Sequence, residues 1–232
     1  MNAQTLISRY GELKERVAQA CIEVGRMPDD VRIIVVTKTH PVETVQSVID
    51  AGIKDIGENR VQEIEAKAPL LRGEFEMHLI GHLQTNKVNK VVSLIQWIQS
   101  VDSIRLVEKI ENASAGLDRK IKALVQVNTS NEATKSGCSE HECLAIAERV
   151  AQSRSLQFRG LMTIGPLDAS EADTRKAFSA LRILSEQCVS LAPASGIELS
   201  MGMSSDFEWA ISEGATMIRV GSLLLGQRDM AG

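Results

Sequence analysis

The sequence predicts an α/β fold, a single (β/α)8 TIM barrel preceded by an extra N-terminal helix. Eight strand-like runs alternate with helix-like segments along the 232 residues. Most of the runs are nearly continuous apolar stretches, which is typical of parallel strands in a sheet that is covered on both faces. Eight β/α units in a chain of this length favour a closed barrel.

The first 25 residues are predicted to form the extra helix. Apolar residues recur there at helical spacing, and Gly25 followed by Pro28 ends the pattern. The apolar stripe consists of Leu6, Leu13, Val17, Ala20 and Val24.

The eight predicted strands follow in chain order. They are VRIIVVTK from position 31, DIGE from 55, EMHLIGH from 76, WIQSVD from 97, IKALVQVN from 121, LQFRGLMTI from 156, GIELSMG from 196 and TMIRVG from 216. The helix-like segments between them are TVQSVIDAG, RVQEIEAKA, NKVNKVVSLI, SIRLVEKIENA, SEHECLAIAERVAQ, ADTRKAFSALRILSEQC and SSDFEWAISEG. A short helix is expected after the eighth strand.

The main alternative fold is an open doubly wound sheet. No GxGxxG sequence follows the first strand, which disfavours the dinucleotide-binding version of that fold. No linker-like or low-complexity stretch interrupts the alternation, so we expect residues 1–232 to form one domain.

The composition counts against several classes of function. Apolar residues make up 44% and charged residues 24%, the balance of an ordinary soluble globule. The net charge of −4 and the aromatic content of 3% give no basis for nucleic-acid binding. The sequence has no apolar run of membrane-spanning length and no signal-peptide pattern. The four cysteines lack zinc-ligand spacing, and we expect them to be free thiols in the cytoplasm.

A lysine at the end of the first strand is the first functional signal. The active site of a (β/α)8 barrel lies at the C-terminal ends of its strands, where Lys38 would project. Apolar strand neighbours are expected to lower the pKa of Lys38, and a partly neutral amine can form a Schiff base with an aldehyde. Position alone leaves open a surface lysine that merely ends the strand.

Strands seven and eight add candidates for binding a phosphate. Loops after these two strands commonly hold a phosphate at backbone N–H groups. Ser204 follows strand seven, and Gly221 and Ser222 follow strand eight. Simpler roles are helix capping by Ser204 or Ser205 and a turn at Gly221. Together with Lys38, these residues indicate a phosphorylated aldehyde, a description that pyridoxal 5′-phosphate fits.

Arg219 lies inside the eighth strand-like run. Burying an arginine is costly unless it is paired or hydrogen-bonded. One possibility is an ion pair with an acidic residue at the barrel rim. The other is a contact with the pyridine nitrogen, which a protonated arginine would keep unprotonated. The ring would then be a weaker electron sink than one that faces a carboxylate.

Several motifs in order give the chain a resemblance that covers nearly its whole length. The matching stretches are VVTKTHP at 35, GENRVQE at 57, HLIGHLQTNK at 78, SVDS at 100, ATKSG at 133, GLMTIG at 160, LSMGMSSDFEWAI at 199 and IRVGSLLLG at 218. With these motifs the chain closely resembles the pyridoxal-phosphate homeostasis proteins of the YggS or PROSC type. Two departures are Ser222, where threonine is frequent, and LLLG in place of the more usual IFG.

The resemblance implies an alanine-racemase-like barrel without the added β domain of the larger racemases. It implies that Lys38 holds pyridoxal 5′-phosphate as an internal aldimine and that Arg219 faces the ring nitrogen. It further implies that Ser204, Gly221 and Ser222 hold the phosphate. Asn59 is expected to line the pocket, and Lys135 to be a second lysine near the cofactor.

The resemblance also implies a function without robust catalysis: binding pyridoxal phosphate and regulating its supply. Apo forms of enzymes that use the cofactor would be transient partners, and we expect a monomer. The alternative is a weak amino-acid racemase. Two-base racemization needs an acid/base group on each face of the substrate, yet the single tyrosine, Tyr10, lies on the leading helix. A third hypothesis is a barrel lyase or isomerase that acts on a sugar phosphate through Lys38.

No metal site is expected. His78 and His82 flank a predicted strand, so their side chains would be about 13 Å apart at ~3.3 Å per residue. His78 is expected near the bottom of the barrel and His82 near its mouth.

Overall fold

A computed structural model describes residues 3–130, 132 and 135–226, and within them eight parallel strands close into a barrel in chain order. The strands are β1 Arg32–Val36, β2 Asp55–Glu58, β3 Glu76–Leu79, β4 Trp97–Val101, β5 Ile121–Gln126, β6 Leu156–Met162, β7 Glu198–Met203 and β8 Met217–Val220. The register between β1 and β8 closes the ring, with Ile34 opposite Arg219. The predicted fold and all eight predicted strands are confirmed.

Helices cover the outside of this barrel. They are α1 Ala3–Glu23, α2 Val42–Asp50, α3 Val61–Lys67, α4 Val88–Val91, α5 Ile104–Ser114, α6 Glu140–Ala151, α7 Glu171–Glu186, α8 Phe207–Ser212 and α9 Ser222–Leu225. Each strand is followed by a helix, including the short one expected after β8. Among the described residues, no helix combines the length and the apolar character needed to cross a lipid bilayer.

The extra N-terminal helix α1 packs against α8 and α9, the helices that follow β7 and β8. The predicted stripe is buried at Leu6, Leu13, Val17 and Ala20. Val24 was also expected in that stripe, but it lies beyond the end of α1 and is 40% exposed. Cys21 is the apolar residue that fills the last buried position instead. All four cysteines are buried free thiols, as expected.

The core has two parts because successive strand residues face opposite sides of the sheet. The larger part lies between the sheet and the helices and includes Ile33 and Val35 of β1. The part inside the barrel is small. It consists of Ile34, Trp97, Leu124, Met162 and Met217. Buried polar side chains, among them His78, Gln99, Ser200 and Arg219, occupy much of the remaining interior.

Charged residues close the barrel at the N-terminal ends of the strands. Lys122 Nζ lies 2.6 Å from Glu76 Oε1, and Arg159 pairs with Glu198 at 2.8 Å. Trp97 donates its indole N–H to Glu76 and packs beneath the Lys122 ammonium, which lies 5.0 Å from the ring centroid. Because these charges are paired, this end is a structural floor, and the opposite end is the open mouth.

Candidate functional site

The predicted site residues come from four consecutive strands of the closed barrel. Ser204 follows β7, Gly221 and Ser222 follow β8, Lys38 follows β1 and Asn59 follows β2. The strand order places β7, β8, β1 and β2 side by side. Because all strands are parallel, their C-terminal ends meet at the same rim. The structure therefore brings these five residues to one part of the mouth, with Arg219 buried just below it.

Lys38 lies in a turn just beyond β1. The strand was predicted to run to Lys38, but it ends at Val36. The Thr37 N–H continues the ladder by donating to Gly57 O, and the His40 N–H closes a turn by donating to Thr37 O. This turn takes Lys38 out of the sheet, where its side chain is half-buried.

The turn after β7 presents Ser204. The simpler alternative, that Ser204 or Ser205 caps the next helix, is wrong, because α8 begins at Phe207 with Asp206 at the N-cap position. Asp206 closes the turn: its carboxylate accepts the Met203 N–H at 2.5 Å and its own N–H donates to Met203 O. Within the described part of the chain, the half-buried Ser204 hydroxyl has no hydrogen-bond partner, so it is available to a ligand.

Gly221 is the N-cap residue of the last short helix, α9, and packs closely against β1. Its carbonyl accepts the N–H groups of Leu224 and Leu225. A Cβ at this position would lie 3.0 Å from Val36 O, which is tighter than ordinary packing. A glycine therefore lets the start of α9 approach the end of β1, and the exposed Ser222 follows immediately.

Arg219 is a buried cation held by neutral groups. Its guanidinium donates to Ser200 Oγ at 2.7 Å and to Thr163 O at 2.8 Å. Among the described residues, no carboxylate forms an ion pair with it, and Asp206 acts only at longer range. Burial lowers the pKa of Arg219 to about 10, so the group is protonated at neutral pH. The predicted alternative of an ion pair at the rim is therefore wrong, and the hydrogen bonds are what allow the charge to be buried.

Asn59 lies beside the loop that follows β3. The register between β1 and β2 pairs Val36 with Gly57, so Asn59 and Lys38 each follow the paired ends of two neighbouring strands. Gly81 packs directly on Asn59, and a Cβ at Gly81 would come within 2.2 Å of Asn59 O. A side chain at position 81 is therefore excluded, which keeps the two loops in contact at the mouth.

Lys135 belongs to a cleft on the other side of the mouth. Because β5 is four strands away from β1 in the ring, its loop lies across the barrel from Lys38. Lys135 Nζ donates to Gly165 O at 2.8 Å and pairs with Glu132. The cleft is lined by Ile80, Gly81, His82, Gln126, Val127, Asn128, Lys135, Ser136 and Ile164. Ala133 and Thr134 of the ATKSG motif lie outside the described residues.

One group of potential metal ligands occurs among the described residues, at the barrel floor. Atoms of Asp55, Glu76 and His78 lie within 4.8 Å of one another. Arg32 and Lys122 already pair with the two carboxylates. The side chains of Arg32 and Lys122 therefore already balance the negative charge that a metal ion would otherwise balance at this position.

A buried charged cluster behind Lys38 was not predicted from the sequence. Lys67 Nζ donates to Glu58 Oε1 at 2.8 Å, to Glu63 Oε2 at 2.7 Å and to Thr37 O at 3.1 Å. Burial raises the pKa of Glu58. A usable signal was present, because Lys67 falls on the same helix face as the buried residues Val61 and Ile64.

Comparisons with known proteins identify the family. The family described as alanine racemase, N-terminal domain, matches residues 13–229. The pyridoxal phosphate homeostasis protein of Pseudomonas aeruginosa is 39% identical over 97% of this chain and 96% of its own length. The human protein of the same name is 38% identical over 94% of this chain and 84% of its own. This chain belongs to the pyridoxal phosphate homeostasis protein family.

Solved structures agree with this family and with the fold. PipY of Synechococcus elongatus, solved with pyridoxal phosphate bound, is 35% identical and superimposes with a TM-score of 0.81 over 95% of this chain and 100% of its own. An alanine racemase of Clostridium difficile matches with a TM-score of 0.74 at 14% identity, over 93% of this chain and 57% of that protein. The second likeness shows the barrel fold alone.

Proposed function

We propose that this protein binds pyridoxal 5′-phosphate covalently through Lys38 and serves the intracellular supply of that cofactor without robust catalysis. The observation that carries the proposal is the placement of Lys38 between Gly221–Ser222 and Asn59 on one part of the barrel mouth. Support comes from the family name and from the bound pyridoxal phosphate in PipY.

The residues present fit this cofactor. When bound, pyridoxal phosphate supplies an aldehyde that forms a Schiff base with a primary amine and a pyridine ring that withdraws electrons. Lys38 offers the amine. Ser204 and Ser222 offer hydroxyl donors for the phosphate, and Gly221 lets backbone N–H groups at the start of α9 approach it.

Arg219 would serve the ring nitrogen. It is protonated, can only donate hydrogen bonds, and is held in place by Ser200 and Thr163. A donor that is protonated at neutral pH keeps the ring nitrogen unprotonated, which weakens the ring as an electron sink. This arrangement suits binding and handover of the cofactor better than demanding carbanion chemistry.

A racemase is the alternative, and the position of Tyr10 speaks against it. The chain has one tyrosine. It lines a cleft with Val31, Arg32 and Asp55, at the N-terminal ends of β1 and β2. Tyr10 is therefore at the floor of the barrel and cannot supply an acid/base group at the mouth. Stereospecific exchange of a substrate α-proton at enzyme-like rates would favour the racemase instead.

The rest of the proposal concerns the cellular setting. We place the protein in the cytoplasm as a monomer, with residues 1–232 as one cofactor-binding domain. Apo forms of enzymes that use pyridoxal phosphate would be its transient partners. A lyase or isomerase acting on a sugar phosphate is the third candidate, and it predicts no absorbance band after pyridoxal phosphate is added.

Borohydride reduction tests the proposal directly. The protein is incubated with pyridoxal 5′-phosphate, reduced and mapped by peptide mass spectrometry. We expect the reduced adduct on the peptide that contains Lys38. If no peptide carries an adduct, the cofactor assignment is overturned.

A further inference from the structure

The buried cluster formed by Lys67, Glu58 and Glu63 lies directly behind the turn that carries Lys38. Glu58 is the last residue of β2 and is fully buried, and Lys67 is the last residue of α3. Glu63 stands one helical turn before Lys67 and shares its ammonium group with Glu58. The three side chains form one continuous set of ion pairs between the sheet and α3.

This cluster bonds to both sequence neighbours of Lys38. On one side, the Thr37 carbonyl accepts a hydrogen bond from Lys67 Nζ, and the Thr37 hydroxyl donates to Glu58 Oε1 at 2.7 Å. On the other side, the Thr39 N–H donates to Glu63 Oε2 at 2.6 Å. The backbone before Lys38 and the backbone after it are therefore fixed to the same group of charges.

The conformation that the cluster holds is unfavourable on its own. Thr39 has a φ of 67°, in the left-handed region that β-branched residues avoid. The hydrogen bond from Thr39 to Glu63 is charge-assisted and can stabilise this conformation. Burial raises the pKa of Glu63, but hydrogen bonds from Lys67 and Thr39 outweigh it and leave that pKa below its usual value. Glu63 is thus ionised at neutral pH, which is the form that accepts both bonds.

A contribution to the stability of the fold is not a sufficient reason for the buried cluster of Lys67, Glu58 and Glu63. Buried ion pairs often stabilise a fold no better than apolar residues of the same size. Strained backbone held by its surroundings is common where a reactive side chain must be aimed. Here the strained residue is the immediate neighbour of the predicted reactive lysine.

We infer that Glu63 and Lys67 are positioning residues that aim the Lys38 amine at the cofactor aldehyde. The inference rests on the proposed function, because it concerns the same covalent link. Neither residue is proposed to touch the cofactor. Glu63 fixes the backbone after Lys38 through Thr39, and Lys67 fixes the backbone before it through Thr37.

The test separates the covalent step from binding. Glu63→Ala removes the acceptor of the Thr39 N–H and leaves the pair between Lys67 and Glu58 intact. Glu65→Ala is the matched control, since Glu65 lies on the same helix and has only a 4.0 Å contact with Lys90. The rate of adduct formation is followed by absorbance after mixing with pyridoxal phosphate. Non-covalent affinity is measured with pyridoxine 5′-phosphate, which has the phosphate and the ring but no aldehyde.

We expect Glu63→Ala to slow adduct formation about tenfold relative to Glu65→Ala, because small errors in aim are costly for a reacting group. Affinity for pyridoxine 5′-phosphate should stay within about twofold of the control, since the phosphate residues are untouched. Glu63→Gln keeps a carbonyl oxygen for the Thr39 N–H and should recover part of the rate.

Each other outcome has a definite meaning. Equal rates in Glu63→Ala and Glu65→Ala would overturn the positioning role while leaving the proposed function intact. An equal loss of rate and of pyridoxine phosphate affinity would also overturn it, because that is a general disturbance of the site. If the unaltered protein forms no adduct, the proposed function fails instead. If Glu63→Ala does not fold, Glu63→Gln replaces it with Glu65→Gln as its control. Its neutral carbonyl is a weaker acceptor for the Thr39 N–H, so it should form the adduct more slowly than Glu65→Gln, and equal rates would overturn the positioning role.

Discussion

Arg219 at the barrel mouth and Asp55 at its floor are the two ends of one line of hydrogen bonds through the barrel interior. Arg219 donates to Ser200 Oγ at 2.7 Å, and Ser200 donates to Gln99 Oε1 at 2.7 Å. Gln99 Nε2 lies 3.1 Å from His78 Nδ1, and His78 Nε2 lies 3.0 Å from Asp55 Oδ1.

The direction of every bond in this line follows from its first member. A guanidinium can only donate, so Ser200 accepts from it and gives its own proton to the Gln99 carbonyl. The amide group of Gln99 then faces His78 and donates to Nδ1. The remaining ring proton of His78 is on Nε2, where it meets the Asp55 carboxylate. The line thus orients the guanidinium that we propose for the ring nitrogen.

Removing the Gln99 amide from the middle of this line of hydrogen bonds should destabilise the fold. Gln99→Leu leaves the Ser200 proton without its acceptor and His78 Nδ1 without its donor, in a fully buried setting. The expected loss in the free energy of unfolding is about 1–3 kcal/mol. Urea unfolding measures it, with the exposed Gln62→Leu as a control expected to change stability by less than about 0.5 kcal/mol. Equal stability of the two variants would mean that the line contributes nothing.

His78 should make the stability of the protein depend on pH. Burial lowers the pKa of His78 in the folded protein, although Asp55 partly opposes the shift. As the pH falls below about 6.5, the unfolded chain therefore takes up a proton that the folded chain resists. The stabilisation is present above that pH and is lost below it, with a slope of up to about 1.4 kcal/mol per pH unit.

The measurement is urea unfolding between pH 7 and pH 5. His78→Gln should reduce the slope relative to the unaltered protein, because no group at position 78 then titrates. His141→Gln, at an exposed position, is the matched control for the loss of a histidine. An unaltered slope in His78→Gln would assign the acid sensitivity to other residues.

Removing the charge of Lys67 should be among the more damaging single changes. Lys67→Met leaves Glu58 and Glu63 facing each other without their shared cation. Breaking a buried pair in this way costs about 3–5 kcal/mol. The double variant Lys67→Met with Glu58→Gln should recover part of the loss, because one uncompensated charge is gone. Urea unfolding of both variants decides the point, and a double variant no more stable than the single one would contradict it.

The hydrophobic periodicity and the positions of the strand ends were enough to predict the fold and the residues at the mouth of the barrel. The barrel, its eight strands and the mouth positions of Lys38, Asn59, Ser204, Gly221 and Ser222 all follow from the alternation of elements and the rule for where parallel strands end. These are properties of local pattern plus a general topology, so a single sequence contains them.

The interior and the cluster behind Lys38 could not be predicted in the same way. Gln99 and Ser200 were part of apolar-looking runs, and their partnership spans 101 positions along the chain. Lys67 falls on the same face of its helix as Val61 and Ile64, which indicates burial, but only the folded structure brings it under Thr37. The end of β1 was predicted two residues too late, because the turn at residues 37–40, closed by the His40 N–H on Thr37 O, takes the chain out of the sheet.

Changing the charge opposite the ring nitrogen should alter the spectrum of the bound cofactor. Arg219→Glu replaces a hydrogen-bond donor with a carboxylate, which would favour a protonated ring nitrogen. The absorbance of the cofactor-loaded protein, measured without borohydride reduction, should therefore shift. Arg219→Gln removes the positive charge without adding a negative one and is the matched control. Spectra recorded across pH distinguish the two variants. Identical, unshifted spectra for Arg219→Glu and the unaltered protein would make Arg219 a purely structural residue.

Lys38→Ala should abolish the covalent link and keep weaker binding through the phosphate. The residues proposed for the phosphate follow β7 and β8 and do not depend on the side chain at position 38. Borohydride reduction of Lys38→Ala should therefore yield no adduct, while calorimetry with pyridoxine 5′-phosphate should still detect binding. Lys135 lies in the cleft across the mouth, with its ammonium group on Gly165 O. A reduced adduct that persists in Lys38→Ala and disappears in Lys38→Ala with Lys135→Ala would show that this second lysine can take over the reaction.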